Sequence, residues 1–365
     1  DPCPSKRGLL STPVKRPMRH TRRLSWMVSG WLRAIKLGAN GGGTACLTLG
    51  VPDDFYAIRV GFANVNRSAW RIGRAAACAS RGYGSYVVPT GQNRWTPLTF
   101  ANRGVDCDTL VACHDAPREI LVAGIRDSPL EQAAGVAWTW TDWAPIASQE
   151  ADPATGLRVV MIRAFVPPNQ DVTYANGLLR RFTGNPALHR GFDVFVGGVK
   201  FNRDLMFDAA SADVTNPQTW VANHVTPGNL FPVVQFLTQR SGIVGMATGD
   251  SHVQGTASTE QFSGFPYIVT SLLQFHGAKA LPFGMVNCAV GGMESDRFFA
   301  RFRQLVPVVR PSYALLPGWT FNDPGAQMTA DRWAIETFFA RLLGMIEYCE
   351  NAGVVPIVLT PFPRD

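Results

Sequence analysis

A serine within a short glycine-containing turn is the first candidate in this sequence for covalent chemistry. Residues 249–252 are Gly-Asp-Ser-His, and they follow an apolar run at 242–248 that predicts a strand. A serine at a strand-to-helix turn projects its hydroxyl into the crevice, and its backbone N–H lies at a helix N-terminus, where a developing oxyanion is stabilised. Gly249 suits the tight turn, because a Cβ there could obstruct it. The pattern predicts that Ser251 is a nucleophile.

Two further segments carry groups that suit the same chemistry. The segment at 287–292 contains Gly291 and Gly292, and glycine allows a backbone N–H to approach a ligand closely. The segment that ends in Asn322 and Asp323 supplies a side-chain amide, which could donate a hydrogen bond to the same oxyanion. A serine hydroxyl, a glycine N–H and an asparagine amide after three successive strands together predict acyl transfer.

Each of these segments also has a purely structural interpretation, which the sequence leaves open. Ser251 could be only a helix N-cap, a position that favours serine for its side-chain oxygen. The paired glycines could form a plain turn, and the Asn-Asp pair stands before Pro-Gly, which is also typical of a turn. For Asp250 we expect hydrogen bonds that support the turn and no role as a catalytic acid.

Apolar runs that alternate with helical patterns after about residue 241 supply the elements that would position these groups. The predicted order is strand 242–248, helix 265–275, strand 285–290, helix 295–305, strand 313–316, helix 331–351 and strand 354–359. In the longest helix the predicted apolar face consists of Ile335, Phe338, Phe339, Leu342 and Ile346. Such alternation predicts a parallel sheet covered on both faces, and ligands bind these sheets at the carboxyl ends of the strands.

Residues 45–236 have a different rhythm. Short runs rich in Val, Ile, Phe and Trp alternate in polarity between turn residues, at 56–65, 119–125, 135–143, 157–166 and 193–201. No long amphipathic pattern interrupts them, so we expect an all-β sandwich or jelly roll. Trp138, Trp140 and Trp143 favour packing in the core or on a sheet face, although exposed tryptophans would also stack on sugar rings.

Together the three chemical segments resemble the first three sequence blocks of the SGNH, or GDSL-type, serine hydrolase superfamily. ATGDSH at 247–252 is similar to its nucleophile block, NCAVGG at 287–292 to its glycine block, and PGWTFND at 317–323 to its third block. The resemblance covers about residues 240–365. It implies a flavodoxin-like three-layer α/β/α fold there, and membership of a superfamily of esterases, lipases, acyl-carrier thioesterases and carbohydrate deacetylases.

The same resemblance implies a role for each site residue. Ser251 is the nucleophile, and its backbone N–H, that of Gly292 and the Asn322 side chain form the oxyanion hole. The supporting residues are Gly249, Asp250 and Asp323. The superfamily's general base is the histidine of a later Asp-x-x-His block, and here all six histidines precede Asn322: His20, His114, His189, His224, His252 and His276.

The absence of that block leads to two expectations. We expect a chain truncated at its C-terminus, with an incomplete SGNH domain and little or no turnover, because an unactivated serine hydroxyl is a weak nucleophile. We also expect none of the six histidines to serve as the base. His252 adjoins Ser251, but neighbours on a tight turn point apart, so we expect it to face the substrate or to cap the helix.

Charge is distributed unevenly along the chain. Residues 1–40 carry nine basic side chains and one acidic one, whereas the whole chain has a formal charge of +7. We expect residues 1–44 to be a basic, disordered leader, and we expect no nucleic-acid partner, because the basic residues are not interleaved with aromatic ones. An apolar run at 24–32 behind two arginines hints at secretion, but no cleavage site follows it, so the compartment stays open.

Composition excludes several other classes of protein. Of the 365 residues, 46% are hydrophobic and 17% charged, which excludes a disordered chain, and no apolar stretch reaches the roughly 18 residues of a membrane span. Metal-ligand motifs and a P-loop lysine are missing, so no metal or cofactor is expected. Cys107 and Cys113 would allow a local disulfide, and reduced, buried cysteines are the alternative.

The sequence therefore predicts a serine ester hydrolase that acts on a small-molecule or carbohydrate ester. Its α/β domain would span residues 240–365 and follow the β domain at 45–236. The alternative is a non-catalytic protein that binds a glycan or a protein partner through exposed tryptophans, with the α/β part as a degenerate scaffold. The acyl group, the alcohol and the oligomeric state stay open.

Overall fold

The structure is a computed structural model that describes residues 21–27, 31–36, 43–51, 53–80, 95–100, 120–148, 150–151, 157–176, 206–207, 223–224, 232–255, 282–323 and 332–360. Its strands are β1 Thr21–Met27, β2 Trp31–Lys36, β3 Gly43–Val51, β4 Phe55–Asn64, β5 Trp70–Ile72, β6 Arg74–Ser80, β7 Thr96–Pro97, β8 Ile120–Val122, β9 Ala137–Trp140, β10 Ala144–Pro145, β11 Arg158–Val166, β12 Asp171–Asn176, β13 Met206–Phe207, β14 Asn223–His224, β15 Val233–Ala247, β16 Phe283–Asn287, β17 Tyr313–Pro317 and β18 Val355–Leu359. Its helices are α1 Pro129–Ala134, α2 Ser251–Gln254, α3 Ser295–Val309 and α4 Arg332–Asn351.

β15 is the central strand of the largest sheet, and its two halves pair with different neighbours. Residues 233–238 pair antiparallel with β1 and with β4, and β4 in turn pairs with β9 and β10. Residues 243–247 pair parallel with β16, and β17 pairs parallel with the end of this half and carries β18. Met27 of β1 also pairs in parallel with Val286 of β16, so β1 joins the first half of β15 to β16.

The chain reverses its direction in the middle of β15. β1 is antiparallel to the first half, whereas β16 is parallel both to β1 and to the second half, so the two halves run in opposite directions. The reversal falls at residues 239–241, which are exposed between two buried segments. The buried Asp53 carboxylate holds this turn, because it accepts the Arg240 backbone N–H at 3.0 Å and its Nε at 2.8 Å.

The parallel part of the sheet confirms the α/β alternation predicted for the second region. β16 and β17 are buried along their whole length, as expected of strands covered on both faces. β15, β16 and β17 are parallel neighbours, so their carboxyl ends meet at one edge of the sheet. The described residues therefore form an α/β fold with a mixed sheet, and the three-layer arrangement stays a prediction. The predicted helix at 265–275 lies outside the described residues.

The two long helices pack on this sheet through apolar faces. In α3 the phenylalanines Phe298 and Phe302 are fully buried. In α4 the buried face consists of Phe338, Leu342, Met345 and Cys349. It is turned from the predicted face, because Phe339 is 47% exposed and packs only at the flank, with its ring centroid 6.5 Å from that of Trp319.

The first region is rich in strands, as predicted, but the strands do not stand apart from the α/β part. β3, β11, β6 and β7 form one antiparallel sheet, whereas β4 is hydrogen-bonded to β15 and so belongs to the same sheet as the parallel strands. The jelly-roll arrangement and the division of the chain near 236–240 stay predictions. The predicted strand at 193–201 lies outside the described residues.

The expectation of a disordered leader is wrong for the part of it that the structure describes. Thr21–Met27 is β1, inside the largest sheet, and Trp31–Lys36 is β2, which pairs with β12. The charge of Arg23 does not prevent burial of β1, because its guanidinium donates to the Val308 carbonyl at 2.9 Å inside the protein. The antiparallel partners of β1 and β2 are about 135 to 220 residues away in the chain, so the local charge of the segment did not indicate that they form strands.

A closed polar cluster stabilises the place where β4, β1 and β15 meet the end of α3. The Arg59 side chain is 1% exposed, and its Nε donates to Gln235 Oε1. Its guanidinium carbon lies 5.3 Å from the ring centroid of Trp140 and 4.6 Å from that of Trp143, within cation–π range. We call this cluster the arginine junction; it consists of Arg23, Ser25, Arg59, Trp140, Trp143, Gln235 and the carbonyl of Val308.

Candidate active site

The Gly-Asp-Ser turn lies where β15 ends at the carboxyl edge of the sheet. Gly249 has φ +147°, and a Cβ there would lie 2.6 Å from Val253 Cγ2, so the position requires glycine. Asp250 is the N-cap residue of α2 and Ser251 is its first residue. The Ser251 side chain is half-buried, and its hydroxyl makes no hydrogen bond to any other residue that the structure describes.

The buried Asp250 carboxylate stabilises this turn through hydrogen bonds. Its side chain is 5% exposed, and it accepts the His252 backbone N–H at 2.9 Å and the Thr320 hydroxyl at 2.8 Å. His252 Nδ1 also lies 3.1 Å from Asp250 Oδ1. The carboxylate therefore has three neighbouring polar partners, and it links the Ser251 turn to the loop that follows β17.

The loop after β16 is tied to α2 by buried polar groups. The buried Asn287 donates from Nδ2 to the Val253 carbonyl at 3.0 Å and accepts the Ala289 N–H at Oδ1. Val290 N–H donates to the Gly249 carbonyl at 3.0 Å. These bonds hold the glycine segment directly against the Ser251 turn.

The two glycines of that segment have different environments. The buried Gly291 donates its N–H to the Gln254 side chain, so this donor is already used. Gly292 is exposed and has φ +72°, and a Cβ added there would meet no atom of the described residues within 4 Å. Of the two, Gly292 is the glycine on the solvent-exposed side of these loops, and we call that side the rim of the site.

Asn322 and Asp323 follow β17. Asn322 contacts the loop after β16, and Asp323 contacts the start of α3. Asn322 Nδ2 donates to the Met293 carbonyl at 3.2 Å, and its N–H donates to the Thr320 hydroxyl at 3.3 Å. The buried Asp323 carboxylate accepts the backbone N–H and the hydroxyl of Ser295, at 2.7 and 2.6 Å. Asn322 is half-buried and Asp323 is 5% exposed, so the amide lies nearer the rim than the carboxylate.

Hydrogen bonds thus bring the three predicted segments together, although the catalytic roles of their residues stay predictions. The connecting residues that sequence analysis missed are Gln254, Ser295, Thr320 and Arg341. Thr320 could have been found, since a hydroxyl two residues before an asparagine is typical of a local turn bond. Arg341 is 46 residues from its partner Ser295, and no local pattern marks it.

The histidines leave the general base unassigned. His252 has a side chain that is 47% exposed, and its backbone N–H and ring nitrogen both face Asp250. His224 lies in the short strand β14. His20, His114, His189 and His276 lie outside the described residues, as do Cys107 and Cys113.

Burial extends the pH range over which two groups beneath the site stay protonated. The Cys288 thiol is fully buried and donates to the Ala247 carbonyl at 3.0 Å, and burial raises its pKa to about 12. Burial likewise raises the pKa of Tyr313 to about 12. Cys288 is therefore a neutral thiol at pH 7 and does not compete with the Ser251 hydroxyl as a nucleophile.

Neither a metal centre nor a membrane helix is evident in the part of the chain that the structure describes. There, no cluster of three or more His, Cys, Asp or Glu side chains could hold a metal ion. No described helix has the length and apolar character needed to cross a bilayer.

The tryptophans are packed inside the protein, as the core interpretation predicted. Trp140 is 8% exposed and Trp143 is 1% exposed, and both lie against Arg59. Trp138 is half-buried and stacks on Trp140, with ring centroids 6.1 Å apart. The exposed tryptophan surface on which the glycan-binding alternative depended is therefore not present at Trp140 and Trp143, and Trp138 is exposed only in part.

The solved structures that are similar to this chain include hydrolases of the GDSL type. A GDSL-like lipase from Bacteroides thetaiotaomicron is 17% identical over 32% of this chain and 47% of its own length, with a TM-score of 0.22. The esterase EstA from a Pseudoalteromonas species is 16% identical over 32% of this chain and 61% of its own, with a TM-score of 0.25. This chain thus spans only about half to three-fifths of these hydrolases.

A family two carbohydrate esterase from Clostridium thermocellum matches along most of the chain. It is 9% identical over 91% of this chain and 89% of its own length, with a TM-score of 0.22. At such identities and TM-scores the similarity carries no argument about activity. No protein-family model matches this sequence, and no curated protein is similar to it.

Proposed function

We propose that this protein is a serine hydrolase of ester bonds, with Ser251 as its nucleophile. The observation that carries the proposal is the convergence of three loops at the carboxyl edge of parallel strands. Hydrogen bonds to the Asp250 carboxylate fix the turn that contains Ser251. The Ser251 hydroxyl itself makes no hydrogen bond to another described residue. A site whose surroundings are held rigidly and whose reactive atom is left unbonded suits nucleophilic attack.

The chemistry we propose is acyl transfer through a tetrahedral intermediate. Ser251 Oγ forms a bond to the ester carbonyl carbon, and the carbonyl π electrons move to oxygen. The Ser251 N–H at the start of α2, the exposed Gly292 N–H and the Asn322 amide would stabilise that oxyanion. The proton that Ser251 Oγ loses passes through solvent to the alcohol, which leaves as the bond between the carbonyl carbon and its alkoxy oxygen breaks. Water then attacks the acyl-enzyme, the acid is released and a proton returns to Ser251 Oγ. We assign no general base.

The substrate class we propose is a carbohydrate ester or a comparable small acyl ester. Gly292 is exposed, and no atom of the described residues lies within 4 Å of a Cβ added there, so the described part of the rim leaves room for a bulky alcohol beside the oxyanion donors. Burial of Trp140 and Trp143 gives no support to the alternative, a non-catalytic protein that binds a glycan. Release of acetate from acetylated oligosaccharides, compared with p-nitrophenyl acetate, tests the substrate class.

Labelling with a serine-directed fluorophosphonate tests the nucleophile. The probe should label the wild-type chain, slowly because no general base is assigned to Ser251, and it should leave Ser251→Ala unlabelled, because the bond to phosphorus forms at Ser251 Oγ. The Ser251→Ala change should alter the free energy of unfolding by less than about 0.5 kcal/mol, because the hydroxyl makes no bond to the described residues. Urea denaturation measures that difference.

Ser128→Ala is the matched control. Ser128 is also a half-buried serine at the start of a helix, and its side chain makes no cap hydrogen bond. This variant should label like the wild type. Equal labelling of Ser251→Ala and the wild type, or no labelling of the wild type at all, would contradict the proposal.

A further inference from the structure

We infer that Arg341 is a positioning residue for the Asn322 amide, acting through Ser295 and Asp323. The inference rests on the proposed function of the site, in which Asn322 donates to the oxyanion. Arg341 lies on α4, and neither its sequence surroundings nor the resemblance to known hydrolases marks it. A chain of hydrogen bonds leads from α4 to the rim of the site.

The first link joins the two helices. An Arg341 guanidinium nitrogen donates to Ser295 Oγ at 2.7 Å and lies 3.5 Å from Asp323 Oδ2. The Arg341 side chain is 36% exposed, whereas the Asp323 side chain is 5% exposed. The cation therefore reaches from the surface to a buried carboxylate, and it orients the Ser295 hydroxyl, which must donate to that carboxylate because arginine offers only donors.

The second link fixes Asp323 to the start of α3. Glu294, the N-cap residue of α3, makes no side-chain cap bond. The Asp323 carboxylate replaces it, because it accepts the Ser295 N–H at 2.7 Å and the Ser295 hydroxyl at 2.6 Å. A carboxylate at a helix N-terminus is also favoured by the helix dipole. Both of its oxygens are held, so Asp323 has little freedom to rotate.

The third link sets the orientation of the Asn322 amide. Asn322 adjoins the fixed Asp323, and its Nδ2 donates to the carbonyl of Met293, two residues before Ser295. A carbonyl only accepts, so Nδ2 and not Oδ1 must face Met293. An amide nitrogen carries two hydrogens, and the second makes no bond to another described residue. That second hydrogen is the donor available to an oxyanion.

Removal of Arg341 should therefore loosen the amide without touching the nucleophile. The experiment uses an alkylboronic acid and the full chain. The Ser251 Oγ–B bond forms, the hydroxyl proton goes to the buffer, and boron becomes a tetrahedral anion whose oxygen would occupy the oxyanion site. Arg341→Met should weaken boronate binding about tenfold, since a misplaced oxyanion donor loses part of its stabilisation.

Two variants separate positioning from simple loss of stability. Arg303→Met is the matched control, because Arg303 also joins α3 to α4, through Nε to Met345 Sδ at 3.3 Å, but does not contact Asp323. It should bind the boronate like the wild type. Arg341→Lys keeps a cationic donor and should restore most of the affinity. Equal weakening by Arg303→Met, or unchanged binding by Arg341→Met, would overturn the inference.

A second readout works without any covalent chemistry. The side-chain amide signals of Asn322 in ¹⁵N-labelled protein, assigned with Asn322→Ala, should move in Arg341→Met and stay in place in Arg303→Met. If the wild type fails to bind the boronate but the amide signals move, the positioning inference holds and the proposed function fails. If the boronate binds and the amide signals stay in place, the inference fails and the proposed function survives.

Discussion

The unpaired backbone groups at the two ends of α3 are bound by side chains of different kinds. At the N-terminal end, the Asp323 carboxylate accepts the Ser295 N–H and hydroxyl. At the C-terminal end, the Val308 carbonyl accepts from Arg23 at 2.9 Å and from Gln235 at 3.2 Å. Negative charge thus lies at the positive end of the helix dipole and positive charge at the negative end.

The difference between the ends lies in what they leave unbonded. In the arginine junction the polar side chains are buried, and Arg59 lies between two tryptophan rings. At the other end the buried carboxylates hold a rim where Ser251 and Asn322 are half-buried and Gly292 is exposed. A polar cluster whose side chains are all buried stabilises the fold, whereas one that leaves donors at a rim can serve a ligand.

The largest effect we predict is at the arginine junction. Arg59→Ala should lower the free energy of unfolding by about 3–5 kcal/mol, because it opens a cavity between two rings and leaves the Gln235 amide oxygen without its donor. Urea denaturation followed by tryptophan fluorescence measures the change. Arg67→Ala, at an exposed arginine, is the control and should change stability by less than about 0.5 kcal/mol.

If Arg59→Ala lowered the free energy of unfolding by less than about 1 kcal/mol, the arginine junction would not be a cluster that stabilises the fold. The contrast between the two ends of α3 would then be wrong. Fluorophosphonate labelling of the fraction that stays folded should match the wild type. Slower labelling of that folded fraction would show that the junction also influences the rim.

The next effect compares two glycines within the site. Gly249→Ala should cost about 2–3 kcal/mol, because φ +147° is strained for alanine and the new Cβ would meet Val253 at 2.6 Å. Gly292→Ala should cost only about 1 kcal/mol, the strain of φ +72° alone, since nothing lies within 4 Å of the new Cβ. Thermal and urea unfolding of both variants check the order. The reverse order would show that the Gly292 rim is the tighter part.

The smallest effect concerns a surface ion pair that belongs to neither end of α3. The Arg158 guanidinium, 2.6 Å from the Asp54 carboxylate, lowers the pKa of that carboxyl below its ordinary value of 3.8. A depressed carboxyl pKa stabilises the fold above that ordinary value, and this contribution is lost as the pH falls through the folded-state pKa. Arg158→Met should therefore cost no more than about 0.5 kcal/mol at pH 7, because both side chains are partly exposed to solvent, which screens the pair.

The pH series supplies the check on that pair. The difference between the wild type and Arg158→Met should shrink as the pH falls below 3.8, where Asp54 takes up a proton in both proteins. Unfolding measured at several pH values follows it. A difference that stays constant, or grows, in acid would assign the effect of Arg158 to packing and not to charge.

Local patterns predicted most of the parallel half of the fold. The runs at 285–290 and 313–316 and the helical pattern at 295–305 correspond to β16, β17 and α3 within a few residues. For the apolar face of α4 the prediction was right for Phe338 and Leu342, which are buried, and wrong for Phe339, which is 47% exposed. Periodicity gives the spacing of an apolar stripe, but the neighbouring elements choose which flank is covered.

The sequence by itself determined the chemical groups and their place after strands, because residue type and spacing decide which segments become strands and turns. Only the tertiary structure decided that β1 belongs to the central sheet, that β15 reverses at Arg240, and that Arg341 reaches Ser295. Arg23 and Val308 are 285 positions apart in the chain and Arg341 and Ser295 are 46 apart. Contacts of that kind depend on which faces remain to be buried once the local elements exist, and no short stretch of sequence contains that information.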